Sequence, residues 1–375
     1  MGLYVKITGV GAIPLAIPLA PSTPASPWAP GVGKQILVRM TTDDGLIGWG
    51  ECFAYGAPLA VCNIVDEALA PLVIGQDPSE IERLTQVMHR ALMIWGRRGL
   101  AMCAVSGVEL ALWDLAGKAP GVPVYRLLGG LTQPRLRAYA SLLRYDTASD
   151  LGRVCSTMVG QGYTAIKLHQ IDVESVAVAR DVVGDGVDLM LDTNCPWSVE
   201  EAIRIGRLLE PYNLRWLEEP VWPPEDYAGL ARVRRALRIP IASGENDATV
   251  FGARDLIAAG GADVVQPSVT KVGGLGEMRK IATLAAAANV TFQPHSYYFG
   301  PGLAATVHLC AATPGVPYIE MPPGALQAPL LAEPIRCEGG MVQPPETPGL
   351  GADPDPDVLK RYPLNAAAVR PFYLT

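Results

Sequence analysis

Short β-rich runs recur through this chain from about residue 135 onward, and their spacing limits its possible folds more than any other feature. The runs are Ala138–Leu143, Ala165–His169, Asp188–Asn194, Leu214–Pro220, Pro240–Asn246, Ala262–Val269, Val290–Ser296 and Pro317–Pro322. Most are apolar along their length, as expected of parallel strands buried on both faces. Segments of helical pattern lie between them, among them Val199–Glu210 and Leu275–Ala288. Ser198 precedes the first of these and Glu201 follows three residues later, which predicts a capping box at its start. Eight alternating strand and helix units predict an α/β fold, a (β/α)8 TIM barrel. The alternative is an open doubly wound sheet, and even spacing favours closure.

The first 130 residues follow another pattern. Lys34–Met40 and Leu46–Cys52 flank Thr42-Asp43-Asp44-Gly45, a hairpin turn signal. Helical stretches follow at about Pro58–Leu72, Ser79–Ile94 and Met102–Ala116. Strands and then helices predict an α+β module over residues 1–130, with the barrel at 131–322. The tail, 323–375, is rich in Pro and Gly and is expected to pack back on the N-terminal module.

Among the 375 residues, 49% are hydrophobic and 18% charged, which argues against disorder and for a large core. The net charge of −7 gives no electrostatic footprint for nucleic acid or an anionic membrane. Two runs without Asp, Glu, Lys or Arg, Ile7–Gly33 and Ile281–Ile319, are broken by prolines and predict no membrane-spanning helix. Seven scattered cysteines without a C-x-x-C read as reduced thiols, so the expected location is the cytoplasm.

Chemistry in such barrels sits at the C-terminal ends of the strands. The polar residues closing the runs are Lys167, His169, Asp192, Asn194, Glu218, Glu219, Glu245, Asn246, Ser268, Lys271, His295 and Glu320. Lys167, Asp192, Glu218 and Glu245 follow one another at 25–27 residues, as do Ser268, His295 and Glu320, so they point at one centre. Asp192, Glu218 and Glu245 on consecutive strands would repel one another in a partly buried rim unless a cation lies between them. Oxygen-only donors suit a hard divalent ion, Mg²⁺. An ion-pair ring with Lys167 and Lys271 is the alternative. Zinc is disfavoured, because the histidines flank the trio and no cysteine joins them.

These motifs resemble the mandelate racemase and muconate lactonising enzyme branch of the enolase superfamily. The similar segments are Lys167-Leu168-His169, Asp192-Thr193-Asn194, Trp216-Leu217-Glu218-Glu219-Pro220 and Ser243-Gly244-Glu245-Asn246. The stretches from Gln266 to Gly274, Pro294-His295-Ser296, Ala111 to Gly130, and Pro348-Gly349-Leu350-Gly351 add to them. The resemblance implies a modified (β/α)8 barrel under an α+β capping domain, with cap loops closing over the substrate. It places Asp192, Glu218 and Glu245 as Mg²⁺ ligands and implies removal of the proton α to a carboxylate through an enediolate. Lys167, His169, His295 and Glu320 fall at its acid/base positions, Glu320 as the acid that hydrogen-bonds the enediolate. Homo-oligomers are common in such families, and the expected partner is a small carboxylate substrate.

Two positions depart from the mandelate racemase pattern. The second Lys of the strand-two motif is His169, and the partner of His295 is Ser268 instead of Asp. An imidazole near 6.5 can replace a lysine base; the alternative is that His169 only hydrogen-bonds a substrate hydroxyl. Ser268 can orient His295 but supplies no charge, which suits His295 to donating a proton or a hydrogen bond. The segment Pro14–Gly33, which the resemblance makes a mobile lid, has no charged residue and carries six prolines and Trp28. A diacid would need its cation elsewhere, such as Arg97 or Arg98. Tyr297 and Tyr298 are read either as pocket lining or as core, and Cys195 as filler rather than nucleophile.

The expected reaction is therefore Mg²⁺-dependent dehydration of a sugar acid or cycloisomerisation of its lactone. Racemisation or epimerisation of a 2-hydroxy acid is the alternative, and a metal-binding scaffold without catalysis is the minor one.

Overall fold

The computed structural model describes residues 5–23, 26, 31–53 and 55–364. Strands β1 (Ile7–Pro18), β2 (Val32–Thr42) and β3 (Ile47–Cys52) form an antiparallel sheet in that order. The β2–β3 turn places Gly45 at φ +89°, a conformation that a Cβ resists. Strand β1 departs from the sequence reading, because Pro14 and Pro18 argue against a strand. They are tolerated since β1 has a ladder only with β2, and on its open edge the Pro14 carbonyl accepts from the Leu364 N–H at 3.0 Å. Residues 14–18 are thus sheet rather than lid.

The expected helix Pro58–Leu72 is three joined pieces, with a π-turn at Ile64–Leu69 between Pro58–Asn63 and Ala70–Val73. Pro71 lacks an N–H and its ring crowds the carbonyl four residues back, which the wider turn relieves. Helices Ile81–Ala91 and Leu100–Lys118 complete the cap. The second is long and apolar enough to cross a membrane, yet 89% of its apolar window is buried inside the protein.

Strands β4 (Leu136–Ser141), β5 (Ala165–Leu168), β6 (Asp188–Asp192) and β7 (Leu214–Glu218) run parallel as neighbours. They continue into β8 (Ile241–Ser243), β9 (Val264–Val265) and β10 (Thr291–Phe292), while β11 (Ile319–Met321) returns beside β4. The seam between β10 and β11 is joined by a side chain: Gln293 Oε1 accepts from the Tyr318 N–H at 3.1 Å and its Nε2 donates to the Tyr318 carbonyl at 3.2 Å. The chain thus folds as a barrel of eight strands. Among the described residues the first seven are each followed by a helix, and the eighth runs into the tail. Thr147, Asp172, Ser198 and Asp226 cap four of these helices through the backbone N–H three residues on, and the capping box at Ser198 forms.

The tail reaches the barrel sheet. Its hairpin, β12 (Cys337–Glu338) and β13 (Met341–Val342), extends the barrel sheet antiparallel to β4. Two cap carboxylates meet barrel helix starts: Glu51 accepts from the Gly302 N–H at 2.7 Å, and Glu109 from Leu275 and Gly276 at 2.8 Å each.

Inside the barrel, Tyr139, Ala165, Met190, Trp216, Ala242, Val264 and Tyr318 form an apolar plug, with the three rings edge-on at 5.9–6.0 Å. Side chains alternate along a strand, so the residue two positions further on faces the same interior. That step leads from Ala165 to Lys167, Met190 to Asp192, Trp216 to Glu218, Val264 to Gln266 and Tyr318 to Glu320. The polar layer of the barrel stands directly on this apolar one.

Candidate active site

The layer above the plug gathers three carboxylates around one ammonium. Lys167 Nζ lies 2.9 Å from Glu218 Oε1, 3.0 Å from Glu320 Oε1 and 3.4 Å from Asp192 Oδ2, all of these groups buried. Burial alone would lower this ammonium, but the charges of Glu218 and Glu320 outweigh it and hold the proton more tightly than usual. The same cation, with His295, overcomes burial at Glu320 and holds that carboxyl down at about 2. Glu320 also accepts from the Ser296 N–H at 2.6 Å. This geometry presents Glu320 as an ionised carboxylate; the resemblance implies an acid.

Asp192, Glu218 and Glu245 each offer an oxygen, and the three atoms lie within 4.8 Å of one another. Burial raises Asp192, but Lys167 and His169 reverse the shift and hold it well below the ordinary carboxylate range. Burial and then the neighbouring charge of Asp192 push Glu218 up to about 8. Its second oxygen accepts from Trp216 Nε1 and Gln266 Nε2, both at 2.9 Å. At Glu245 the fields of His295 and Lys271 prevail over burial and lower the group. Lys271 donates to Glu245 Oε1 at 2.8 Å and to Asn246 Oδ1 at 3.2 Å, and packs over the cap ring of Phe53 at 4.4 Å. Asn194, at φ +55°, donates from backbone and amide to Asp192 Oδ1, each at 3.0 Å.

Three carboxylates face two ammonium groups, Lys167 and Lys271, so the trio is left with excess negative charge. Its oxygen-only, preformed donor set fits a hard divalent cation.

An imidazole stands at each end of the trio. His169 Nε2 lies 3.1 Å from Asp192 Oδ2, while its buried Nδ1 has no hydrogen-bond partner among the described residues. His295 Nε2 lies 3.4 Å from Glu245 Oε2, and its Nδ1 faces Ser268 Oγ and Tyr298 Oη at 3.2 Å each. Burial lowers the affinity of His295 for a second proton despite Glu245 and Glu320.

The remaining residues divide clearly. Tyr298 is buried with its hydroxyl on His295 and Ser268. Tyr297 is half-buried, its ring edge-on to Phe299 at 6.2 Å. Trp28 lies outside the described residues. Cys195 donates to Glu219 Oε2 at 3.5 Å, and burial raises its thiol, consistent with filler. Arg98 lines a small cavity with Glu219, Asn246 and Asp247.

Sequence reasoning passed over the groups that hold Glu218, Trp216 and Gln266, although both stand on the same strand faces as the rim residues. It also passed over the cap residues Phe53 and Tyr55. Burial raises the Tyr55 phenol, and the nearby charges of Glu245 and Glu320 raise it further.

Comparison with known proteins agrees with this geometry. The family model "Mandelate racemase / muconate lactonizing enzyme, N-terminal domain" matches residues 21–129, and "Enolase C-terminal domain-like" matches 150–358. D-galactarolactone cycloisomerase of Agrobacterium fabrum is 35% identical over 347 residues, 88% of this chain and 91% of that protein. Arabinonate dehydratase of Saccharolobus solfataricus is 33% identical over 339 residues, 87% and 90% of the two chains. A member of the enolase superfamily from Polaromonas sp. JS666 superposes with a TM-score of 0.89 at 32% identity, covering 99% of this chain and 100% of the other.

Fold and site together define an enolase-superfamily enzyme, a lyase or isomerase. Within it, the chain belongs to the mandelate racemase/muconate lactonizing enzyme family.

Proposed function

We propose that this protein removes the proton α to the carboxylate of a sugar acid or its lactone and expels the β-oxygen, giving dehydration or cycloisomerisation. The observation that carries the reading is the carboxylate trio with an imidazole at each end, His169 beside Asp192 at 3.1 Å and His295 beside Glu245 at 3.4 Å. Its similarity to a lactone cycloisomerase and a sugar-acid dehydratase supports the substrate class.

Asp192, Glu218 and Glu245 would hold Mg²⁺. When bound, the ion supplies positive charge that favours the second negative charge growing on the substrate carboxylate. Lys167 remains an ammonium and keeps Glu320 and Glu218 in place. His169, whose side chain is 19% exposed, takes the C2 proton. The C–H electrons first pass onto the carboxylate as an enediolate, then form the C2–C3 double bond as the C3–O bond breaks, leaving the enol of the 2-keto product. In dehydration, the proton taken by His169 and the departing hydroxide together make the water. His295 meets the oxygen that leaves.

Racemisation is the second reading, since an imidazole stands on each flank. The hydroxyls behind His295, in place of a carboxylate, weigh against a second strong base.

The test is a screen of sugar acids, their lactones and simple 2-hydroxy acids with Mg²⁺ in D₂O, followed by proton NMR. A 2-keto-3-deoxy product or an opened lactone supports elimination. Deuterium at C2 with loss of optical purity and no new product overturns it for racemisation.

A further inference from the structure

His295 is backed by two hydroxyls and no carboxylate. Its Nδ1 lies 3.2 Å from Ser268 Oγ and 3.2 Å from Tyr298 Oη, and the two hydroxyls are hydrogen-bonded to each other. All three residues are buried. Ser268 and His295 form a bridge between the ends of neighbouring strands, and the Tyr298 ring meets the imidazole edge-on at 5.6 Å and 78°. Gly302 holds the far side of that ring, since a Cβ there would stand 3.2 Å from Tyr298 Cδ2.

We propose that Tyr298, together with Ser268, is the positioning device of His295 and holds its ring proton on Nε2, facing the site. The inference rests on the reading of His295 as a group that meets the substrate.

A carboxylate behind Nδ1 only accepts, so it fixes the proton on Nδ1 and leaves Nε2 as a bare base. A hydroxyl accepts or donates. The phenol, with an ordinary pKa near 10, is a stronger donor than an aliphatic alcohol. The order Ser268 O–H to Tyr298 Oη, then Tyr298 O–H to His295 Nδ1, uses each hydrogen once. The opposite order, with the proton on Nδ1 and the Tyr298 O–H given to Ser268, leaves the Ser268 hydrogen without an acceptor among the described residues. With the proton on Nε2, His295 offers the substrate a hydrogen bond. That suits an oxygen gathering charge as it leaves, and does not suit removal of a proton from carbon.

Histidine side-chain ¹H–¹⁵N correlation spectra test this directly. The chain has only four histidines, and His295→Asn assigns the signal by its disappearance. With Mg²⁺ present, the expected spectrum has a bare Nδ1 and a protonated Nε2. Tyr298→Phe should shift the Nδ1 signal and lower kcat about tenfold, with KM changed by less than about twofold. Ser268→Asp should move the proton to Nδ1 and raise deuterium exchange at C2 relative to elimination. A protonated Nδ1 in the parent protein overturns the proposal, as do His295 signals left unmoved by Tyr298→Phe. If Tyr298→Phe fails to fold, Ser268→Ala is read in its place; an unmoved Nδ1 signal there also overturns the proposal. If the parent turns over no sugar acid or lactone, the functional reading fails, while the spectra need no substrate and still decide.

Discussion

Lys167 on β5 and Glu320 on β11 are joined across the barrel mouth by a 3.0 Å ion pair in which neither side chain is more than 1% exposed. Removing the ammonium leaves Glu320 and Glu218 without the lysine that pairs with both. Loss of one partner of a buried pair costs about 3–5 kcal/mol. Lys167→Met should lower urea-unfolding stability by about that much without Mg²⁺, and by less with it, because a divalent cation restores positive charge. Equal losses in the two conditions would show that Lys167 and the cation site do not share these carboxylates.

Glu218 is held from both sides, by Lys167 on one oxygen and by Trp216 and Gln266 on the other. Glu218→Gln keeps much of this packing but removes the charge. Saturating Mg²⁺, at about 100 times its dissociation constant, should stabilise the parent by about 2.7 kcal/mol. The variant should gain no such increment and show no turnover. A thermal shift surviving in Glu218→Gln would place the cation elsewhere.

The two imidazoles should separate in deuterium exchange. His169→Gln should abolish exchange at C2 with a loss of turnover of about 10²–10⁴-fold. His295→Asn should stop turnover while Mg²⁺ binding and C2 exchange persist. Exchange lost in His295→Asn and kept in His169→Gln would swap their roles.

The period of the rim residues made barrel and trio legible, because the step from strand end to strand end is fixed by one strand, one helix and two short loops. The same alternation that stands Glu218 on Trp216 was equally present in the sequence, so Trp216 was readable as a partner of Glu218. Tyr298 was not. Its hydroxyl reaches His295 through an irregular turn after β10, where no side-chain period applies. Phe53 reaches Lys271 only once the cap is docked, and that contact crosses a domain boundary with no local signal. Strand β1 was hidden by prolines that count against a strand only where a neighbour needs their missing N–H; on the outer edge of β1 their carbonyls accept and no N–H is called for.

Two buried groups outside the carboxylate trio should set opposite limbs of the stability–pH curve. His308 is enclosed between Tyr125, whose N–H donates to its Nδ1 at 3.3 Å, and the Leu350 carbonyl, 3.1 Å from its Nε2. Burial lowers it from 6.5 to about 4, so between those values the unfolded chain binds the extra proton. Its contribution is fully present above about pH 6.5 and is lost as pH falls toward 4, with an amplitude of about 3 kcal/mol. Glu51 has the reverse sign. Burial, partly offset by the Gly302 N–H, raises it from 4.5 to about 7, so the folded chain binds the extra proton. Its contribution is present below about pH 4.5 and is lost as pH rises through 7, again by about 3 kcal/mol. In urea titrations across pH 4–8, His308→Asn should flatten the acid limb and Glu51→Gln the alkaline limb, each leaving the other unchanged. Gln keeps a carbonyl for the Gly302 N–H, so an alkaline limb that stays as steep in Glu51→Gln would assign that loss to another carboxylate.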